Sequence, residues 1–139
     1  IINSNDHHIE HAISLIVAHK IKRVGIVGLT FKADTDDLRE SPLLELVKQL
    51  RERGHEIRYF DPKVKPEDLL RMGLDAQVSD SQCMIVDQLI ATTDMLVVGH
   101  NTDYGRDAAK IAKRFMPVID LVGLGNSYKY AKNCQGICW

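Results

Sequence analysis

Four short apolar runs, separated by amphipathic stretches, constrain this chain more than any single motif does. They are centred on Val24, Ile26 and Val27, on Ile57, Tyr59 and Phe60, on residues 95–98, and on residues 118–122. Each is rich in β-branched or aromatic residues and ends at a glycine or proline punctuation, the pattern of a buried strand. The intervening stretches carry apolar residues at helical spacing: Leu43, Leu44, Leu46, Val47 and Leu50 in one, Met84, Ile85, Leu89 and Ile90 in the next, Ala108, Ile111, Ala112 and Phe115 in the last. Strand, helix, strand, helix in that order requires parallel pairing through right-handed crossovers. The expected fold is therefore α/β, a doubly wound, mainly parallel, Rossmann-like sheet. A short helix is expected over 63–73, an edge strand over 74–78, a helix from Asp80 or Ser81 to about Ala91, and irregular chain over 123–139.

A chain of 139 residues is long enough for one domain with a real core. Its net charge of −1 supplies no electrostatic footprint for nucleic acid or an anionic membrane surface. No apolar run approaches the roughly 18 residues that span a bilayer. The three cysteines, Cys83, Cys134 and Cys138, are odd in number and include no Cys-x-x-Cys, which argues against a disulfide framework and a zinc site and for a reducing, cytoplasmic setting. No histidine or acid follows Cys134 or Cys138 in the chain, so neither is read as a nucleophile. The chain opens on Ile1, from which we expect a piece of a longer protein.

The chain begins with a helical pattern, Ile9, Ile13, Ile16 and Val17, after the cap-type residues Asn3, Ser4, Asn5 and Asp6. It precedes the first strand, so residues 1–22 read as a helix joined either to this domain or to a helical region upstream, and 23–139 as the α/β domain itself. His7, His8 and His11 invite a metal reading because His7 and His11 are one helical turn apart. A site needs a third ligand, and Glu10 points elsewhere on the wheel, so a solvated or interface face is the simpler account.

Residues 24–42, VGIVGLTFKADTDDLRESP, hold the chemistry. The stretch starts as a buried strand and ends at a helix start, with Ser41 of cap type and Pro42 suited to the first helical position. The connection between them is too long for a routine βα turn, and it is dense in charge. Long loops at the carboxyl end of a first strand are where α/β folds bind ligands. Lys32 offers a point charge and Arg39 a planar fork, with Asp34, Asp36 and Asp37 near enough to brace them. Phosphate binding and mere bracing of the helix start both remain open on this pattern. A dinucleotide fingerprint is not met: Leu29, Thr30, Phe31 and Lys32 follow Gly28, so nothing matches G-x-G-x-x-G. Gly123 and Gly125 open no helix. Asp61, where a ribose-binding acid would stand, reads instead as a strand-end cap before Pro62.

The same stretch carries a resemblance. G-L-x-F-K followed by T-D-D-x-R-x-S-P, together with Tyr59-Phe60-Asp61-Pro62 and the preceding helix with Asn5, is similar to the C-terminal domain of the UDP-glucose/GDP-mannose dehydrogenase family. The likeness runs over essentially the whole chain. Through the terminal GICW it resembles the members of the alginate pathway, which take GDP-mannose to GDP-mannuronate. The resemblance implies an enzyme that oxidises a nucleotide-sugar alcohol to a carboxylate with NAD, in which this domain binds the nucleotide sugar. The N-terminal NAD-binding domain, the central helical region and the nucleophilic cysteine would lie elsewhere in that enzyme, a homo-oligomer, dimer or higher. It further implies that Lys32, with Phe31 beside it, meets the sugar nucleotide and that Arg39 reaches NAD, with no catalytic residue and no metal in this chain. The alternative is a stand-alone nucleotide-binding or interaction module without catalysis.

Overall fold

A computed structural model describes residues 2–29, 41–100, 102–121 and 134–136. Among these, β1 (Arg23–Val27), β2 (Glu56–Phe60), β3 (Met95–Val98), β4 (Val118–Asp120) and β5 (Cys134–Gly136) form one sheet in the order β2-β1-β3-β4-β5. Every pairing is parallel. The doubly wound α/β expectation is therefore met, with β5 in place of the edge strand expected over 74–78.

Helices cover both faces because successive strand residues point in opposite directions. Val24, Ile26, Val97 and Ile119 face α1 (Ile2–Ala18) and α2 (Pro42–Glu52), meeting Ile9, Ile13 and Ile16 of α1 and Leu46, Val47 and Leu50 of α2 in one buried cluster. Val27, Leu96, Val98 and Val118 face the other way, against Leu89 and Ile90 of α5 (Val86–Ala91) and Ala108, Ala109 and Ala112 of α6 (Asp103–Ala112). The small residues of α6 let it lie close to the sheet. Helix α1 begins at Ile2, so Asn3 to Asp6 lie within it and not ahead of it as caps. Among the described residues no helix is long and apolar enough to cross a membrane.

Three local expectations differ from what is found, each for a traceable reason. Residues 74–78 were expected as a strand, yet Ala76–Ser79 is the short helix α4, which follows α3 (Pro66–Arg71). Asp75 caps α4 by accepting the Val78 N–H at 3.2 Å, and Ala76, which a strand would place on one face with the buried Leu74 and Val78, is exposed. The helix expected from Asp80 or Ser81 starts only at Val86, because Ser81 to Cys83 runs along the outer edge of β2. The Tyr59 N–H donates to the Ser81 carbonyl at 3.4 Å and the Cys83 N–H to the Tyr59 carbonyl at 2.7 Å. The Gln77 carboxamide closes the same edge, accepting the Ile57 N–H at 3.1 Å and donating to the Ile57 carbonyl at 3.0 Å. An edge strand's polar groups need such partners, and here side chain and irregular chain supply them. Finally, the stretch expected to be irregular contains β5, which covers the edge of β4.

Candidate functional site

The strand order reverses between β1 and β3: from β1 the chain moves outward to β2, then returns to the other side. Ligands of open α/β sheets bind at the carboxyl ends of the strands flanking such a reversal. The register aligns those ends, pairing Val27 with Phe60 and with Val98, and Val98 with Asp120. Gly28 and Gly99 then continue the ladder, the Gly28 N–H donating to the Phe60 carbonyl at 3.0 Å and the Gly99 N–H to the Val27 carbonyl at 2.8 Å. Both positions demand glycine. Gly28 has φ +92°, and a Cβ there would sit 2.7 Å from the ring of the buried His100. A Cβ on Gly99 would sit 2.6 Å from the Gly28 carbonyl oxygen and 2.5 Å from Leu43 Cδ1.

Just beyond Gly28, Leu29 is held by both of its backbone groups. Its N–H donates to Asp61 Oδ2 at 2.8 Å, and its carbonyl accepts the Ser41 hydroxyl at 2.7 Å. Asp61 is buried, and its other oxygen accepts the Lys63 N–H at 3.0 Å, so it is the expected strand-end cap and a tie to β1 as well. Residues 29 and 41, twelve apart in sequence, are thus at hydrogen-bonding distance beside the crevice. Ser41 was expected to cap α2. It has the extended backbone of an N-cap, with Pro42 after it, but its hydroxyl is turned to Leu29 and makes no cap hydrogen bond. Among the described residues, the first turn of α2, the positive end of its dipole, thus has no cap from the Ser41 side chain. Helix α6 differs: Thr102 Oγ1 accepts the Gly105 N–H at 3.0 Å.

The residues singled out in the sequence fall unevenly on this frame. Phe31, Lys32 and Arg39, with Asp34, Asp36 and Asp37, lie outside the described residues, and so does Cys138. Their anchoring residues, 29 and 41, are described and are drawn together. Cys83 is buried, and burial pushes its thiol up, the opposite of an activated nucleophile. His11 is exposed, and the side chains of His7 and His8 lie outside those described. Sequence reasoning passed over Gly99 and His100, although Gly99 follows the apolar run of β3 as Gly28 follows that of β1. It also passed over the Ser41–Leu29–Asp61 chain, which joins residues far apart in sequence. The exit of β1 does not fit a dinucleotide pyrophosphate, since the Leu29 N–H is already committed to Asp61 and a ring, not open space, abuts Gly28.

At the amino end of the sheet, a groove of about 510 Å³ lies between the carboxyl ends of α5 and α6. Asp87, Ile90, Asp94, Ile111 and Phe115 line it, and among the described residues no lysine or arginine does, so they offer phosphate no cation.

A parallel sheet with a tied excursion at its switch point defines a ligand-binding α/β domain, and the comparisons narrow the class. Residues 25–122 match the UDP-glucose/GDP-mannose dehydrogenase family, UDP binding domain, and the chain belongs to that family. It is similar to GDP-mannose 6-dehydrogenase from Pseudomonas aeruginosa, 32% identical over 100% of this chain and 33% of that protein. A ternary complex of GDP-mannose dehydrogenase from the same organism superposes with a TM-score of 0.80 at 32% identity, again over 100% of this chain and 33% of that one. A UDP-glucose dehydrogenase from Pyrobaculum islandicum shares the fold at a TM-score of 0.71 and 22% identity, over 99% of this chain and 30% of that one. The chain thus spans about a third of the length of the curated relatives it matches.

Proposed function

We propose that this chain is the nucleotide-sugar-binding C-terminal domain of an NAD-dependent GDP-mannose 6-dehydrogenase, which oxidises GDP-mannose to GDP-mannuronate for alginate synthesis. The observation that carries this reading is the tied excursion at the switch point, Leu29 to Ser41, in a chain whose whole length matches relatives of that name. Lys32 supplies a point charge to the sugar nucleotide, with Phe31 beside it, and Arg39 reaches across to NAD. The start of α2, which the Ser41 side chain does not cap, adds a positive partial charge on the same side. NAD itself belongs to the other part of the enzyme, because the exit of β1 here does not accommodate it. The nucleophilic cysteine also belongs there, and α1 is the end of a central helical region. The enzyme is a cytoplasmic homo-oligomer, a dimer or larger.

The test is Lys32→Ala in the whole dehydrogenase. Loss of one charge-assisted contact, about 1.5–3 kcal/mol, should raise the KM for GDP-mannose roughly 10- to 150-fold. The melting temperature should hardly move, since a loop lysine contributes little to folding. An unchanged KM beside a large fall in melting temperature would make Lys32 structural and remove this reading of the loop.

A further inference from the structure

The acid at the end of β2 has a second task that its position alone does not announce. In dinucleotide-binding halves of α/β folds, an acid at this place is turned outward to a ribose. Here Asp61 is 2% exposed and both its oxygens are turned onto the protein's own backbone, one to Leu29 beyond β1, the other to Lys63 in the turn beyond β2. Charge-assisted bonds of this kind are stronger than neutral ones, and buried carboxylates are held only where such donors meet them. The Leu29 end of the tie continues through its carbonyl to the Ser41 hydroxyl at the start of α2. One carboxylate therefore fixes the exits of two neighbouring strands and, through Leu29, the start of α2.

We propose that Asp61 is a positioning residue for the nucleotide-sugar site: it touches no ligand, and it fixes the mouth of the crevice between β1 and β3 by holding Leu29 and Lys63. The proposal rests on the nucleotide-sugar reading above. It explains why the ribose-type acid is present in a domain that lacks the dinucleotide fingerprint. The carboxylate serves geometry, with one oxygen on the Leu29 N–H and the other on the Lys63 N–H.

The substitution Asp61→Asn tests it in the whole dehydrogenase. The carboxamide has the same shape but only one acceptor oxygen, so it can serve Leu29 or Lys63 and must face the other with a donor. The KM for GDP-mannose should rise about tenfold with kcat changed less than about threefold, as expected when ground-state positioning is lost. Amide hydrogen exchange at Leu29 or Lys63 should quicken while that of Val97, in the centre of the sheet, stays as in the wild type. Ser41→Ala, which releases Leu29 from its carbonyl side, should raise the same KM by a smaller factor, and it keeps the test alive should Asp61→Asn not fold. A wild-type KM in a variant whose Leu29 or Lys63 amide has lost protection would overturn the proposal, because the tie would then be structural only. An equal fall in protection at Val97 would overturn it too. A wild-type enzyme inert toward GDP-mannose would instead remove the functional reading, and this inference with it.

Discussion

The chain leaves β1 and β3 side by side at the switch point, yet the two departures are built differently. From Gly99, the chain reaches Thr102, which caps α6 by accepting the Gly105 N–H. From Gly28, it goes out after Leu29 and returns twelve residues on at Ser41, whose hydroxyl ties the two ends together instead of capping α2. The β3 crossover caps its helix with the Thr102 side chain, whereas at the β1 crossover the Ser41 hydroxyl holds Leu29 instead of its own helix. A helix end left without a cap costs about 1 kcal/mol, a cost found where a ligand or a loop takes the cap's place. On the proposed function, that difference makes the β1 exit the one that serves the ligand and the β3 exit scaffold.

The largest effect should come where the two exits meet. Gly99→Ala would place a methyl 2.6 Å from the Gly28 carbonyl oxygen, which is backbone and cannot swing away. We expect a loss of about 3 kcal/mol in denaturant unfolding, the upper end of overpacking costs. A loss below about 1 kcal/mol would mean the exits can separate, and the close approach would not be a constraint.

A smaller pair of effects separates the two departures directly. Ser41→Ala and Thr102→Ala should each cost about 1 kcal/mol of stability, one by a lost buried hydrogen bond and the other by a lost cap. Only Ser41→Ala should raise the KM for GDP-mannose in the whole enzyme. Equal shifts of KM in both variants would erase the distinction between functional and scaffolding exits.

The smallest effect serves as the control on β2, two residues before Asp61. Tyr59 is wholly buried, and among the described residues its hydroxyl has no hydrogen-bond partner. Burial, with Asp61 the next contributor, pushes its phenol far above the ordinary value. The sign follows: the folded state resists ionisation, the unfolded state ionises as pH rises past about 10, and stability is lost on that alkaline side. Tyr59→Phe should change stability by less than about 0.5 kcal/mol at pH 7, leave KM alone and flatten the alkaline loss. Destabilisation by more than about 1 kcal/mol at pH 7 would reveal a partner for the hydroxyl.

How much of this was legible beforehand follows from the range of the interactions involved. The strands β1 to β4 and the stripe of α2 are written locally, in runs such as Val24 to Val27 and in Leu43 to Leu50, and periodicity reads them directly. The excursion after β1 was legible for the same reason, because length and charge are local. Residues 74–78 were misread because Leu74, Ala76 and Val78 alternate as a strand would. Asp75, the cap, decides for the helix α4. The strand β5, only three residues ending in glycine, has no signature apart from its pairing with β4. The role of Ser41 was hidden because serine before proline satisfies the capping rule equally well, and only the folded position of Leu29 diverts its hydroxyl. Asp61 was identified as a cap, while its tie to Leu29 spans 32 residues and no local rule reaches that far.

The most direct measurement of the central claim is a crystal structure of the whole dehydrogenase with GDP-mannose and NAD bound. The account predicts the sugar nucleotide over the exit of β1, with Lys32 within hydrogen-bonding distance of it, Arg39 directed to NAD, and Leu29, Ser41 and Asp61 tied as they are here. A nucleotide sugar making no contact with residues 29–41, or one seated in the groove beside Ile111 and Phe115, would contradict it.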